Sequence, residues 1–336
     1  MPDPPSRRRK TYSRMEAGRR LPSEYEVVSS DLHYNFPRRF ELPADNPVID
    51  WYSRHREGSL FQADDWEVFA DPRRTTYRGY NELQDRKEDV VDGLLREIDE
   101  THYDARLSDE WVDFLHRWYA PLRFPIHGLQ MLAAYVAQLA PASLITNCAA
   151  FQTVDEMRRL QRITYRTAQL AARRPNVDGA VHRQFWEEAP AFQPLRELIE
   201  RALVTWDWGE AFVVTNVVVK PLIDRLVNQE LAGALAAANG DPILQSIHFS
   251  LDEDAQWHRV WSAELLHTAI RDRRVNRDLV QGWVDARLPP ALAAVDALVA
   301  VIDGAPVRLD GSPVRARVTE AAHADVVAFL DALTGP

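Results

Sequence analysis

The chain has 336 residues, of which 46% are hydrophobic and 27% are charged, a composition typical of a globular protein rather than a disordered or fibrous one. Its single cysteine, Cys148, excludes a disulfide framework or a multi-cysteine metal site and favours a reducing cytoplasm. The net charge is −10 although residues 1–25 carry +4, and a body this acidic argues against a nucleic-acid-binding protein.

The first 50 residues are rich in Pro and Arg and show little periodicity, so we expect an extended N-terminal arm over residues 1–50. The basic charge of this arm suits contact with an acidic partner, and deleting residues 1–25 should weaken assembly without unfolding the rest. The charged N-terminus lacks the apolar segment of a signal peptide, which again predicts a cytoplasmic protein.

Helical patterns begin after an aromatic, loop-like segment at 51–72. Asp71-Pro72 predicts a helix that runs to about Glu100, because an Asp cap followed by Pro is typical of a helix start. Ser108, followed by two acidic residues, predicts the cap of another helix.

The stretch from Phe124 to Val154 contains no charged residue and is long enough to span a bilayer. It also contains several polar residues and a central Pro141, so we predict two buried helices that meet at Pro141 rather than a membrane span. The second helix should carry Asp155-Glu156 and run to about Ala172.

Further along, residues 173–191 are polar and predict a connecting loop. The run Phe212–Val219 is β-branched, which favours a strand, but it is isolated among helical segments, so we predict a buried helix there. The other predicted helices lie at about 192–204, 221–238, 241–271 and 276–302. Together these patterns predict an all-α fold with a helical domain at 51–303 and a C-terminal tail at 304–336 that carries a short helix.

One motif comes close to an iron site. Carboxylate-bridged di-iron bundles use a Glu-x-x-His pair from each of two helices and one Glu from each of two others. Glu156 stands at the Glu position, but Arg159 takes the place of the His, and Arg has no lone pair for a metal. Glu253 and Gln256 form a second interrupted pair. The alternative is that Glu156 and Arg159 form an ordinary ion pair on a helix surface.

Two intact Glu-x-x-His pairs occur, Glu264/His267 and Glu320/His323, against roughly 0.6 expected by chance, so they do not decide for a di-iron site. We therefore expect helix residues rather than ligands at these positions. His127 and His248 stand in apolar surroundings and are predicted to be core histidines. No glycine-rich nucleotide loop and no Gly-x-Ser-x-Gly motif occurs.

Longer stretches carry a family resemblance between about residues 20 and 290. The chain resembles the β subunit of the hydroxylase component of soluble bacterial di-iron monooxygenases, in particular the four-component group that acts on toluene, isoprene and other alkenes. The stretches that carry this likeness are Pro22-Ser23-Glu24-Tyr25-Glu26-Val27-Val28, Leu32-His33-Tyr34, Trp51-Tyr52, Asp65-Trp66, Thr76-Tyr77-Arg78-Gly79-Tyr80-Asn81, Pro121-Leu122-Arg123, Gln130-Met131, Ala134-Tyr135-Val136, Ala140-Pro141-Ala142-Ser143, Asn147-Cys148, Asp207-Trp208-Gly209-Glu210-Ala211-Phe212 and Val219-Lys220-Pro221.

The resemblance implies a ferritin-like helical bundle core without metal, which supports a catalytic α subunit that holds the di-iron centre. It also implies a small γ subunit, a second β in a dimer of protomers, and transient contact with an effector protein and a Rieske ferredoxin. The expected activity belongs to the whole complex: NADH-dependent oxidation of an alkene or aromatic hydrocarbon with O₂. In this chain we expect no catalytic, cofactor-binding or metal-binding residue.

The resemblance also places the two lone Glu ligands near positions 126 and 219, which carry Ile126 and Val219. Our hypothesis is that Arg159 supplies beside Glu156 the positive charge that irons would give, so that breaking this buried pair costs about 3–5 kcal/mol. The runner-up reading is a di-iron oxidase that uses Glu156 with a second group of residues from one helix, namely Glu253, Glu264 and His267.

Overall fold

The computed structural model describes residues 23–30, 46–173, 179–308 and 314–331. Within them every regular element is a helix, which confirms the all-α prediction. The first eight α-helices are α1 (Glu24–Ser30), α2 (Pro47–Tyr52), α3 (Tyr77–Glu100), α4 (Asp109–Phe114), α5 (Arg123–Leu139), α6 (Ser143–Arg173), α7 (Gly179–Glu188) and α8 (Gln193–Leu203).

A continuous helix over residues 208–238, called here the central helix, follows α8. It alternates α-helical and π-helical segments: α9 (Trp208–Phe212), a π segment (Val213–Val219), α10 (Lys220–Asp224), a second π segment (Arg225–Leu235) and α11 (Ala236–Ala238). The last three helices are α12 (Pro242–Asp272), α13 (Val275–Ile302) and α14 (Val314–Asp331).

We call this helix central because it is buried among the other helices. Every residue from 211 to 224 is buried, as the prediction of a buried helix over Phe212–Val219 requires. The β-branched side chains suit this position because packing from all sides outweighs their small helix penalty. Helices α5, α6, α12 and α13 pack around it, so the hydrophobic core lies along its length.

Helices α5 and α6 form an antiparallel pair separated by a short bend at Ala140–Ala142, which confirms the prediction of two helices meeting at Pro141. In the described part of the chain no helix is both long and apolar enough to cross a membrane. His248 is fully buried as predicted, whereas His127 is exposed on α5, so the prediction of a core His127 is wrong.

The predicted start of α3 at Asp71-Pro72 is also wrong. The helix begins at Tyr77 behind Thr76, whose Oγ1 accepts from the amide of Gly79 at 3.1 Å. Asp71 Oδ1 does accept from the amide of Arg73 at 2.9 Å, while its Oδ2 accepts from the hydroxyl of Tyr25 on α1 at 2.6 Å. The turn does not continue as a helix because Arg74 has a left-handed backbone with φ 47°. Ser108 caps α4 as predicted, with its Oγ 3.2 Å from the amide of Trp111.

Two further boundaries differ from expectation. The segment predicted as a loop at 173–191 contains α7, and only residues 174–178 within it lie outside the described residues. In the predicted arm, residues 1–22 and 31–45 lie outside the described residues, while α1 and the start of α2 fall between and after them. In the C-terminal tail, α14 packs on α13 and the central helix through Val314 and Val318.

Candidate functional site

Buried charge concentrates where α3, α6, the central helix and α12 meet. Each helix presents polar side chains three or four residues apart, which places them on one face. We call this group the polar core: Tyr80, Gln84 and Lys87 from α3; Asp155, Glu156, Arg158 and Arg159 from α6; Lys220 and Asp224 from the central helix; Asp254 and His258 from α12. Because a buried charge is costly unless paired, each of these groups needs a partner.

The inner half of the polar core joins α6 to the central helix. The ammonium of Lys220 contacts a carboxylate oxygen of Glu156 and lies 3.1 Å from Oδ2 of Asp224. Arg159 Nη1 lies 2.5 Å from Asp224 Oδ1 and 3.7 Å from Glu156 Oε2. Two cationic groups therefore stand between the two carboxylates. Burial alone would raise the pKa of Asp224, but Lys220 and then Arg159 hold it well below its usual value.

The outer half centres on Asp254, which faces α3 and α6. Its Oδ1 accepts from Lys87 Nζ at 2.7 Å and from Gln84 Nε2 at 3.0 Å. Its Oδ2 accepts from Arg158 Nη1 at 2.7 Å, and Arg158 Nε reaches Glu88 at 2.5 Å. These bonds tie three helices together through one buried carboxylate.

Asp155 and His258 connect the two halves. His258 Nε2 lies 3.0 Å from Asp155 Oδ2, while Oδ1 of the same carboxyl accepts from the Tyr80 hydroxyl at 2.6 Å and from Gln84 Nε2 at 2.8 Å. Burial, with a smaller effect of Lys220, lowers the pKa of His258 to about 3, so the imidazole is neutral at pH 7. Burial also raises the pKa of Asp155.

A narrow pocket leads from the surface to this pair. Arg73 and Trp257 stand along its wall, with the Arg73 guanidinium 5.2 Å from the centre of the Trp257 ring. Cys148, Asp155 and His258 lie along the same pocket. Asp155 and His258 are thus the members of the polar core that line this opening.

Three other buried histidines, His116, His182 and His248, lie outside the polar core. On α12, His248 is bonded on both sides: Nε2 lies 2.9 Å from the Tyr119 hydroxyl and Nδ1 lies 3.0 Å from Asn228 Oδ1. His116 stacks on His182, with Nδ1 3.1 Å from Nε2 of its neighbour. Burial lowers the pKa of His116 to about 4 and that of His248 well below its usual value.

The predicted pair Glu156/Arg159 does lie at the centre of the polar core. Both side chains are buried, at 2% and 5% exposure, so the alternative of a surface ion pair is wrong. The second interrupted pair, Glu253 and Gln256, does not face the polar core. Glu253 is 63% exposed and Gln256 is exposed, whereas Asp254 and His258 on the same helix turn inward.

The two intact Glu-x-x-His pairs lie away from the polar core. Glu264 and His267 are half-buried on α12, six and nine residues beyond His258, which is about 9–14 Å along a helix axis. Glu320 is exposed on α14, and the side chain of His323 lies outside the described residues.

Lys220 and Asp224 are functional-site residues that the sequence patterns did not single out. A signal was present, since Lys220 is the only charged residue between Glu210 and Asp224. A lone Lys followed four residues later by Asp in an apolar helix predicts a buried i,i+4 ion pair.

The side chains of the polar core do not fit a di-iron centre. Ile126 and Val219, at two positions where the resemblance expects Glu, are fully buried hydrocarbon. Protonated Lys and Arg have no lone pair for a metal and repel a cation, yet Lys220 and Arg159 occupy the space beside Glu156. Across the described ranges, no three His, Cys, Asp or Glu side chains form a group that could hold a metal ion.

Comparison with known proteins places the chain in a family. Residues 51–273 match the family described as Methane/Phenol/Alkene Hydroxylase. The chain belongs to this family. It is 38% identical over 296 residues to the toluene-4-monooxygenase system hydroxylase component subunit beta of Ectopseudomonas mendocina, covering 87% of this chain and 90% of that one. It is 25% identical to the propane 2-monooxygenase hydroxylase component small subunit of Rhodococcus jostii (strain RHA1), covering 88% and 81% respectively.

Solved structures of hydroxylase-family proteins show the same fold. A chain of toluene 4-monooxygenase, solved with toluene bound in the resting active site, superposes with a TM-score of 0.80 at 38% identity, covering 84% of this chain and 94% of that one. A chain of phenol hydroxylase from Pseudomonas sp. OX1 superposes with a TM-score of 0.77 at 20% identity, covering 94% and 91%, which supports the fold alone. The resemblance to a hydroxylase β subunit is confirmed.

Proposed function

We propose that this chain is the non-catalytic β subunit of a multicomponent monooxygenase hydroxylase, and that it holds and positions an iron-bearing partner. Within the complex, the partner would insert one oxygen atom from O₂ into an alkene or aromatic hydrocarbon, using electrons from NADH. The 38% identity to a toluene-4-monooxygenase hydroxylase beta subunit over most of both chains supports the assignment.

One observation carries the non-catalytic part of this proposal: Lys220 and Arg159 lie against Glu156 and Asp224. In a metal centre these carboxylates would face a divalent ion. Here each carboxylate has a cationic side chain beside it, so ion pairs take the place of a metal ion in the polar core.

The network also suits a scaffold in its overall charge. Four carboxylates are matched by four cationic side chains while His258 is neutral: Asp155, Glu156, Asp224 and Asp254 against Lys87, Arg158, Arg159 and Lys220. Ion pairs and hydrogen bonds among these side chains link α3, α6, the central helix and α12. Helices linked in this way can present a fixed surface to a partner subunit.

The expected partners are those of the resemblance: a catalytic α subunit with the di-iron centre, a small γ subunit, a second β, and a transient effector protein and Rieske ferredoxin. We place the complex in the cytoplasm. We also infer that residues 1–50 serve as an arm toward a partner, that residues 51–303 form the ferritin-like scaffold and that residues 304–336 form a tail.

The runner-up, a di-iron oxidase in this chain, would have to bring together Glu156, Glu253, Glu264 and His267. The exposed side chain of Glu253 and the distance of Glu264 along α12 favour the scaffold instead.

The two proposals can be tested in the assembled hydroxylase. This chain, carrying an affinity tag, would be co-expressed with the hydroxylase genes that neighbour it, and iron and product formation would be measured on the purified complex. Glu264→Gln and His267→Gln should leave iron content and turnover within about twofold of the unchanged complex, because neither residue would touch a reacting atom. A loss of tenfold or more in both variants would instead support the oxidase.

A further inference from the structure

Three side chains at the inner half of the polar core carry polar atoms without a hydrogen-bond partner in the described protein. They are Oε2 of Glu156, Nδ1 of His258, and Nε and Nη2 of Arg159. The three residues are only 2%, 5% and 4% exposed. A buried polar atom left unpaired costs about 1–3 kcal/mol, and native proteins rarely leave several together.

The tautomer of His258 decides what the unpaired nitrogen requires. Nε2 faces Asp155 Oδ2 at 3.0 Å, and the other oxygen of that carboxylate accepts from both Tyr80 and Gln84. The Asp155 carboxylate therefore accepts a third hydrogen bond, from the Nε2–H group of the neutral His258 imidazole. Nδ1 therefore carries a lone pair and needs a donor.

Glu156 cannot be that donor. Its carboxylate oxygen is also an acceptor, and Oε1 lies 3.9 Å from His258 Nδ1, too far for a direct hydrogen bond. The contact between Glu156 Oε2 and Arg159 Nη1, at 3.7 Å, is likewise longer than a hydrogen bond. The Glu156 carboxylate and His258 Nδ1 are therefore two acceptors that lie near each other without bonding, and a molecule with two O–H donors can satisfy both Nδ1 and the unpaired Oε2.

We propose that an ordered water is bound here, donating one hydrogen bond to His258 Nδ1 and the other to Glu156 Oε2. Arg159, one helical turn from Glu156, has two unpaired N–H groups, Nε–H and Nη2–H, and either of them is a candidate donor to the water oxygen. Three partners are what a buried water typically makes. The pocket that Arg73 and Trp257 line reaches His258, which is one of the two acceptors of this water.

This site goes beyond the scaffold role and rests on the proposed function in one respect, namely that no metal ion stands beside Glu156. The water would complete the network of ion pairs without adding charge. It would also fix the imidazole of His258 as the neutral tautomer that donates to Asp155.

A high-resolution crystal structure of the whole hydroxylase complex, with anomalous data collected at the iron edge, tests the proposal. The expected result is a density peak about 2.7–3.1 Å from both His258 Nδ1 and Glu156 Oε2, with no anomalous signal. His248 is the control in the same crystal, because protein groups satisfy both of its nitrogens and no such peak should lie beside it.

Two results would overturn the water site, and they differ in what else they affect. Featureless density, or a protein donor bonded directly to His258 Nδ1, overturns the water and leaves the scaffold role intact. An anomalous peak about 2.0–2.2 Å from Glu156 would show a bound metal and overturn both proposals together.

Discussion

Replacing Lys220 by methionine tests whether its ammonium group holds the polar core together. Methionine keeps most of the side-chain length but removes the cation, so Glu156 loses its contact with Lys220 and Asp224 keeps only Arg159. Removing one partner of a buried ion pair costs about 3–5 kcal/mol, because the remaining charge stays buried. At about 2 °C per kcal/mol for a large chain, the unfolding midpoint should fall by roughly 6–10 °C.

Scanning calorimetry of the variant at fixed concentration and pH measures this shift. The double variant Lys220→Met/Glu156→Gln removes the stranded charge as well, so it should be more stable than Lys220→Met alone. Arg201→Met is the matched control, since Arg201 pairs with Glu197 on the surface at 68% and 63% exposure, where such pairs contribute about 0–1 kcal/mol. A Lys220→Met midpoint as close to wild type as that of the control, or a double variant no better than the single one, would refute the role given to Lys220.

Four other outcomes follow from the structure. Arg159→Leu should lower the free energy of unfolding by about 3–5 kcal/mol, since it leaves two buried carboxylates, Glu156 and Asp224, with Lys220 as their one remaining ion-pair partner in the polar core, and an unchanged midpoint would refute the charge-replacement hypothesis. Burial holds the pKa of His116, His248 and His258 below the value in the unfolded chain, so unfolding takes up protons when the pH is low. The free energy of unfolding should therefore fall by up to about 4 kcal/mol per pH unit from about pH 6.5 toward pH 4, and a denaturation midpoint that stays constant over that range would contradict this. Gly209→Ala should destabilise the fold by about 1–3 kcal/mol because the added Cβ would overlap the Phe61 side chain. Gly282→Ala, in a helix with open space around it, should stabilise the fold by up to about 1 kcal/mol. Equal unfolding midpoints for the two variants would count against this packing. Deleting residues 1–22, which leaves α1 in place, should weaken assembly without unfolding the rest of the chain, and an intact complex on a sizing column would contradict the role of the arm.

The sequence was sufficient for the features that depend on local pattern. The paired helices around Pro141, the helices at about 241–271 and 276–302, and the buried helix over Phe212–Val219 all follow from periodicity and the absence of charge. The family resemblance was also within reach, because it depends on long stretches rather than on one motif.

Features that depend on distant contacts were missed. The local cap signal at Asp71 predicts the start of α3, and Asp71 does cap a turn at Arg73, but the left-handed backbone of Arg74 ends that turn, and the second carboxylate oxygen of Asp71 binds Tyr25 from far away along the chain. The inward face of α12 was assigned wrongly because two acidic residues, Glu253 and Asp254, stand side by side. Only packing against α3 and α6 decides which of them is buried.

In the polar core, too, local spacing revealed some residues, while a residue defined by a contact between helices was missed. Glu156 and Arg159 were found because their spacing differs from a known metal motif at one position. Lys220, which lies against Glu156, belongs to another helix and fits no motif. Its spacing from Asp224 predicts a buried ion pair, but its contact with Glu156 becomes visible only when the central helix and α6 are placed side by side.

Iron per chain is the first quantity to measure, on this polypeptide purified alone and on the complex co-purified with its neighbouring hydroxylase chains. A non-catalytic β subunit should contain almost no iron when purified alone. The complex should hold about two irons per protomer, and this iron should be lost when the α subunit is removed. Close to two irons in the isolated chain would contradict the scaffold role and would make Glu264 and His267 the first residues to substitute.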